Sequence, residues 1–414
     1  MSKEKQKHVD NDYSFERVPK GPRKGFLPMF FIMLGFTFFS ASMSVGATLG
    51  NSFELGGFAA SVLLGGIVLS CYTGVLAYIG SDTGLSFDLL AQRAFGRYGS
   101  FLPSTMIAAT QVGWFGVGVA MFAIPGAEVI GCGKWVLIVV AGICMTASAY
   151  FGIKGMEVIS YISVPLIMTL GIYSMVTASE AGGGITAVFA KSAGGLTLFE
   201  GVGLVVGSFV SGGTTTPNFA RFAKTRKIAV ITTVIAFFIG NSLMFSFGAV
   251  GGAFTGKEDI FYVMIAQGLT IPALLVLGAN IWTTNDNALY SGALSISNIT
   301  RVPKRPLVIL AGTVGTVSAM WIYDNFVNWL VLLNAVLPPI GAILIIDYFL
   351  NRSRYRSDDT PLAKINIGAF VGVILGALAG WFINVGIGSI NGMLVACFCY
   401  MVNWLIIRFV RKKK

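Results

Sequence analysis

A chain of 414 residues in which 55% are hydrophobic, 13% aromatic and only 11% charged, with 52 glycines and a mean hydropathy of +0.77, lies far outside the range of soluble globular domains. It reads as a membrane protein. The net charge of +11 is dispersed over seven short segments and forms no continuous face, so it does not point to nucleic acid.

Residues 1–25 are polar and charged, lack the apolar centre of a signal peptide, and are expected to form a mobile cytoplasmic tail. Apolar runs then recur, many about 20 residues long, the length a helix needs to cross about 30 Å of hydrocarbon. They lie near 27–49, 57–80, 102–126, 135–152, 157–178, 200–219, 228–250, 262–291, 306–323, 325–349, 365–386 and 390–408, which predicts an all-α polytopic protein with twelve transmembrane helices. Transmembrane β-strands would be shorter and alternating. With a cytoplasmic N-terminus, all but Lys134, Lys191 and Lys257 of the 29 basic residues fall inside, which supports an even number of spans and a cytoplasmic C-terminus.

The first span carries "LGFTFFSASMSVGATLG" (34–50) and the sixth "VVGSFVSGGTTTPNF" (205–219), both interrupted by glycines and small polar residues at mid-membrane. Five spans apart, such interruptions predict two inverted five-helix units with a binding site at the midplane, where unwound backbone lines a cavity. The domain boundaries expected on this basis are 26–178 and 179–350, followed by 351–414 with two extra helices and a basic tail. Close packing through small residues is the competing explanation for either run alone.

In the third span, "ATQVGWFGVGVAMF" (109–122), Gln111 and Trp114 stand three apart and share a face. Phe38 and Phe39 sit in the interruption of span one, and Phe209 in that of span six. Aromatic faces with amides at the edge suit a flat neutral heterocycle, since stacking contributes about 1–3 kcal/mol per base. The eighth span, "LGANIWTTNDNALYSG" (277–292), is the most polar. Asn280 and Thr284 share a face there, whereas Asn285 points roughly 140° from Asn280 in a regular helix. Asp286 is the only acid in the middle of that run, and an intramembrane carboxyl is a functional candidate by default.

Other chemistries are poorly supported. The single histidine, His8, lies in the tail, the five cysteines have no metal-ligand spacing, and no G-x-x-x-x-G-K-[ST] loop for ATP occurs. No enzyme motif stands out. A secondary transporter, a channel and a membrane-embedded enzyme remain the alternatives, and the paired interruptions favour the first.

The runs "MLGFTFFSASM", "TQVGWFGVGVAMFAIP", "VVGSFVSGGT", "GNSLMFSFGA", "VMIAQGL" and above all "NIWTTNDNALY" resemble the cytosine-transporting branch of the nucleobase–cation symporter-1 family, over about residues 23–355. The resemblance implies a leucine-transporter-like fold, a 5+5 inverted repeat plus two C-terminal helices, and symport of a nucleobase, here cytosine, with sodium or protons across the bacterial inner membrane. It implies a substrate slot between Trp114 and Phe209, closed by Phe39, with Gln111, Ser208, Asn280 and Asn285 as edge partners. It also implies a sodium position made by the carbonyls of Gly35, Phe38 and Asn280 and the hydroxyls of Thr283 and Thr284. A hard cation wants such oxygens, and broken helix ends supply them. Sodium is the expected coupling ion, the protein is expected to work as a monomer among lipids, and an amino-acid carrier of the same fold is the remoter alternative.

Overall fold

The structure, a computed structural model, describes residues 13–150, 153–357, 361–383 and 385–412. Among them the regular elements are helical, apart from one isolated bridge between Lys24 and Ala223. In chain order they are α1 (Phe26–Thr37), α2 (Ser40–Ser52), α3 (Leu55–Thr83), α4 (Phe87–Phe95), α5 (Phe101–Ile130), α6 (Lys134–Ala149), α7 (Ile153–Ala181), α8 (Ile185–Phe189), α9 (Leu198–Thr214) and α10 (Pro217–Ala220). There follow α11 (Arg226–Val234), a π-helical turn at Ile235–Gly240, α12 (Asn241–Thr255), α13 (Ile260–Ala266), α14 (Thr270–Pro272) and a second π turn at Ala273–Leu277. The last are α15 (Gly278–Thr300), α16 (Lys304–Asp324), α17 (Phe326–Leu350), a 3-10 turn at Arg352–Tyr355, α18 (Ile367–Phe382) and α19 (Gly388–Lys412).

Among the described residues seven helical runs are long and apolar enough to cross a membrane, and the pair α1 and α2, bent by 51°, makes one more. The helices α6 and α18 are apolar but shorter. The protein is therefore a multi-pass membrane protein.

The break in the first span falls where the sequence put it. Phe38 (ψ 88°) and Phe39 (φ −127°, ψ 128°) are non-helical between α1 and α2. In the sixth span the break lies later than expected. α9 stays helical through Gly207, Gly212 and Gly213 and ends at Thr214, so Phe209 sits inside a helix and not in a break. These glycines serve close contact instead, for a Cβ on Gly207 would lie 2.8 Å from the Leu330 carbonyl oxygen. Pro217 opens α10 and stops α9, because its ring clashes with the carbonyl four residues earlier and it has no N–H to donate. The eighth run is also displaced from 262–291: Gly268, at φ +78°, separates α13 from the later helix, and the continuous polar helix α15 runs on to Thr300.

The helix α15 tolerates its polar side chains because neighbouring helices satisfy many of them. Ser295 Oγ donates to Asp88 of α4 at 3.2 Å, and Asn298 Nδ2 donates to Ser104 of α5 at 2.8 Å and to the Ser100 hydroxyl at 3.1 Å. The nine-residue α4 lies between the second and third expected spans, and the Ser86 hydroxyl caps it by accepting from the Leu89 N–H.

Part of the expected mobile tail is ordered. Residues 1–12, which hold Lys3, Lys5, Lys7 and His8, lie outside the described residues, as do Lys413 and Lys414. From Tyr13 onward the chain is tied down: Val18 N–H donates to Gly84 O, Lys24 N–H to Phe222 O, and Arg23 to the Ser81 carbonyl at 2.7 Å. Carbonyls at the end of α3, left without helical partners, offer acceptors that this arginine-bearing segment uses.

The same contacts gather the basic residues at one end of the molecule. Arg226 and Arg352 both reach Asp82 at the end of α3, and Arg93 bonds the Arg354 carbonyl. Asn51 Nδ2 donates to the Lys257 carbonyl at the opposite end.

Candidate functional site

The break between α1 and α2 leaves the Phe38 carbonyl and the Ser40 N–H without helical partners. Asn280 of α15 satisfies both. Its Nδ2 donates to the Phe38 carbonyl, and its Oδ1 accepts from the Ser40 N–H and hydroxyl, each at 3.0 Å. One fully buried amide thus bridges the two half-helices.

Of the expected ion ligands, Phe38 and Asn280 meet at this bridge. Thr284 Oγ1 donates to the carbonyls of Asn280 and Ile281 at 3.2 and 3.0 Å. Thr283 Oγ1 donates to Ala279 O at 3.1 Å and meets Ser163 Oγ of α7 at the same distance. Gly35 lies one turn before Phe38 on α1 and is buried. The cluster is built of carbonyls and hydroxyls, and no group of three or more His, Cys, Asp or Glu able to hold a metal occurs among the described residues. Such a neutral oxygen set suits a weakly held monovalent cation better than a transition metal.

Beside the break lies a narrow cavity of about 20 Å³, little more than the room one water needs. Its aromatic walls are Phe36, Phe39, Trp114 and Phe209, and its polar edge is made by Gln111, Ser208, Ser211, Thr284 and Asn285. Phe39 meets Trp114 edge-on with centroids 5.6 Å apart, and Phe36 meets Phe209 likewise at 5.3 Å. Gln111 Nε2 donates to Ser211 Oγ at 3.2 Å, which anchors its amide at the cavity edge. Ser208 donates back to the Val205 carbonyl at 2.8 Å, leaving its oxygen able to accept. Thr284 lines the cavity and is also one of the expected ion ligands.

Asn280 and Asn285, both expected at the edge of the slot, occupy different places in the structure. Asn280 is not among the cavity-lining residues, because its amide is fully used at the break. Asn285 does line the cavity, although its Nδ2 is turned to the Phe115 carbonyl of α5 at 3.2 Å. Asp286 faces α6, where its carboxylate accepts from Ser148 Oγ at 2.7 Å, and it lines neither cavity nor ion cluster. Phe36, Ser211, Gly212 and Ala288 were missed as lining residues. Helical spacing carried a signal for two of them, since Ser211 follows Ser208 by three and Ala288 follows Thr284 by four.

Trp114 also meets Phe326, the first residue of α17, at 5.9 Å. Phe326 lines a wider cavity of about 390 Å³ at the end opposite the basic cluster, together with Glu258, Asp259 and Asp324. One aromatic layer thus lies between the narrow cavity and this vestibule. Asp259 caps α13 through the Phe261 N–H and accepts from Tyr323 OH at 2.6 Å, and burial pushes its carboxyl above the usual range.

The sequence matches the family of permeases for cytosine/purines, uracil, thiamine and allantoin over residues 17–406. It is 48% identical over 395 residues to the cytosine permease of Escherichia coli K12, covering 95% of this chain and 94% of that protein. The fold matches that of Mhp1, a nucleobase-cation-symport-1 family transporter solved in a closed conformation with bromovinylhydantoin bound, at a TM-score of 0.80 with 18% identity, over 96% of this chain and 95% of that one. It also matches a Na+-coupled sialic acid symporter at 0.70 with 16% identity, over 93% and 91% of the two chains. These relatives are transporters and not enzymes. The chain is a membrane transporter belonging to the nucleobase–cation symporter-1 family of cytosine and purine permeases.

Proposed function

We propose that this protein imports cytosine together with sodium by alternating access. The observation that carries the reading is the cavity whose walls are Trp114 and Phe209 and whose edge is Gln111, Ser208 and Ser211, immediately beside a helix break. A pyrimidine is flat and neutral, with hydrogen-bonding groups only at its rim. Its faces stack on Trp114 and Phe209, Phe39 closes the slot, and Gln111 with Ser208 reads the rim. The likeness to the cytosine permease of Escherichia coli supports cytosine as the base.

Sodium takes the carbonyls of Gly35, Phe38 and Asn280 and the hydroxyls of Thr283 and Thr284. Thr284 belongs to both places, so each ligand stiffens the other's site, and the coupling is reciprocal. The amide of Asn280 acts as organiser of the break, and Asn285 as a support for the slot wall. At about 20 Å³ the slot cannot hold a base as it stands, so α1 and α9 must move relative to α5 and α15 to admit one. Such a motion moves the broken-helix part of each inverted unit, 26–178 and 179–350, against the remainder of both, and the two units together with the region 351–414 supply twelve spans. The basic end faces the cytoplasm of a bacterial inner membrane, placing both termini inside, and one chain forms a complete path.

Labelled cytosine uptake into proteoliposomes tests this. Uptake should require a sodium gradient, cytosine should bind more tightly in sodium than in choline, and uracil should compete at least tenfold less well, a ratio worth about 1.4 kcal/mol. Equal affinity in the two buffers would remove sodium and leave proton coupling. Competition by leucine in place of bases would make the chain an amino-acid carrier.

A further inference from the structure

The two amides at the edge of the narrow cavity are held in different ways. Gln111 Nε2 donates to the Ser211 hydroxyl, and a hydroxyl can donate as well as accept, so this amide can turn over. Asn285 is held by groups that only accept. Its Nδ2 lies 3.2 Å from the Phe115 carbonyl oxygen of α5 and 3.1 Å from the Met145 sulfur of α6, which together use both of its N–H bonds. Turning this amide over would set its oxygen against a carbonyl oxygen and a thioether, so its orientation is fixed. Oδ1 is then the amide atom left without a hydrogen-bond partner among the described residues, on a side chain that lines the cavity. The amide is also wedged against α5: a Cβ on Gly118 would lie 2.3 Å from Oδ1 and 2.9 Å from Nδ2. Met145 itself is buried and is not among the cavity-lining residues.

We propose that Met145 is a positioning residue for base selection: by holding Asn285 with its oxygen toward the slot, it makes that edge of the site an acceptor. The inference rests on the slot described under the proposed function. An acceptor there pairs with the exocyclic amine of cytosine. It meets the corresponding carbonyl of uracil oxygen to oxygen, which leaves two buried acceptors unpaired. The helices α5, α6 and α15 pack on one another, so the amide keeps its setting while α1 and α9 move, and the base meets a group oriented before it arrives. Gln111, free to turn over, serves either base.

Competition binding to the purified protein in sodium, with labelled cytosine displaced by unlabelled cytosine or uracil, tests this. The parent should prefer cytosine at least tenfold. Met145→Leu, which keeps the volume and removes the acceptor, should narrow that ratio at least threefold, chiefly by tightening uracil, whereas a purely structural loss would weaken both bases alike. Asn285→Ala should narrow the ratio further, and Gln111→Ala should weaken both bases and keep it. A parent that binds neither base overturns the slot and this inference with it. A parent that binds both bases equally, or a parent-like ratio in Met145→Leu with cytosine still bound, overturns the inference and leaves the slot standing. A ratio lost in Gln111→Ala but kept in Met145→Leu hands the selection to Gln111 and does the same.

Discussion

Two buried groups illustrate how much a residue's environment sets its role. Trp114 lines the narrow cavity and packs edge-to-face with Phe39 and Phe326, so truncating it removes a wall and leaves the helix α5 intact. Trp114→Ala should weaken cytosine binding at least tenfold in a protein that still elutes as a monodisperse species, since stacking contributes about 1–3 kcal/mol per base. Parent-like binding would place the slot elsewhere. Asp88 of α4 sits outside the membrane spans. Burial raises its carboxyl from 3.8 to about 6, against hydrogen bonds from Ser104 and Ser295 and the charge of Arg221, all of which pull it down. A raised acid makes the folded state bind the extra proton, so its contribution is fullest below about pH 4 and is lost as pH rises to about 6. Asp88→Asn should flatten the fall in thermal midpoint between pH 4.5 and 7. A slope equal to the parent's would show that other groups set it.

At the scale of the element, glycine serves close packing and not unwinding in both α9 and α12. In α9 the glycines do not unwind the helix. In α12 they let it lie directly against α2: a Cβ on Gly248 would sit 1.8 Å from the Met43 carbonyl oxygen, and one on Gly46 would sit 2.1 Å from that of Phe245. Gly248→Ala should therefore lower stability by about 1–3 kcal/mol, as overpacking does. Gly56→Ala, which meets nothing within 4 Å, is the control and should leave the unfolding midpoint unchanged. A midpoint shared by both variants would mean that α2 and α12 separate easily. The helix breaks differ as well. The break at Phe38 and Phe39 was legible because bulky residues, serines and a glycine interrupt an apolar run, whereas the position of the second break was set by Pro217 and not by the glycines before it.

Across the whole molecule, the charge pattern and the fold agree. The basic residues that the sequence grouped on one side meet at one end, around Asp82 and the Arg354 carbonyl. The orientation of that end is open to a direct test. Cys132 is exposed in the turn between α5 and α6, at the end away from the basic cluster. An impermeant maleimide should label it on intact cells, and Cys132→Ser should abolish the signal. Labelling only after the cells are opened would turn the molecule over.

Sequence alone determined the class, the gathering of basic residues at one end, the first helix break and most of the cavity wall. Hydrophobic run length, lysine and arginine placement and spacings of three or four residues are local signals, each backed by a large free energy of burial in hydrocarbon. What the tertiary structure decided was which polar group does what. Asn280, Asn285 and Asp286 stand within seven residues on one helix, yet they turn to the break between α1 and α2, to α5 and to α6 respectively. Their sequence neighbours are nearly the same. The partners that distinguish them come from segments more than 130 residues away, and a buried amide or carboxyl takes its role from whichever partner satisfies it.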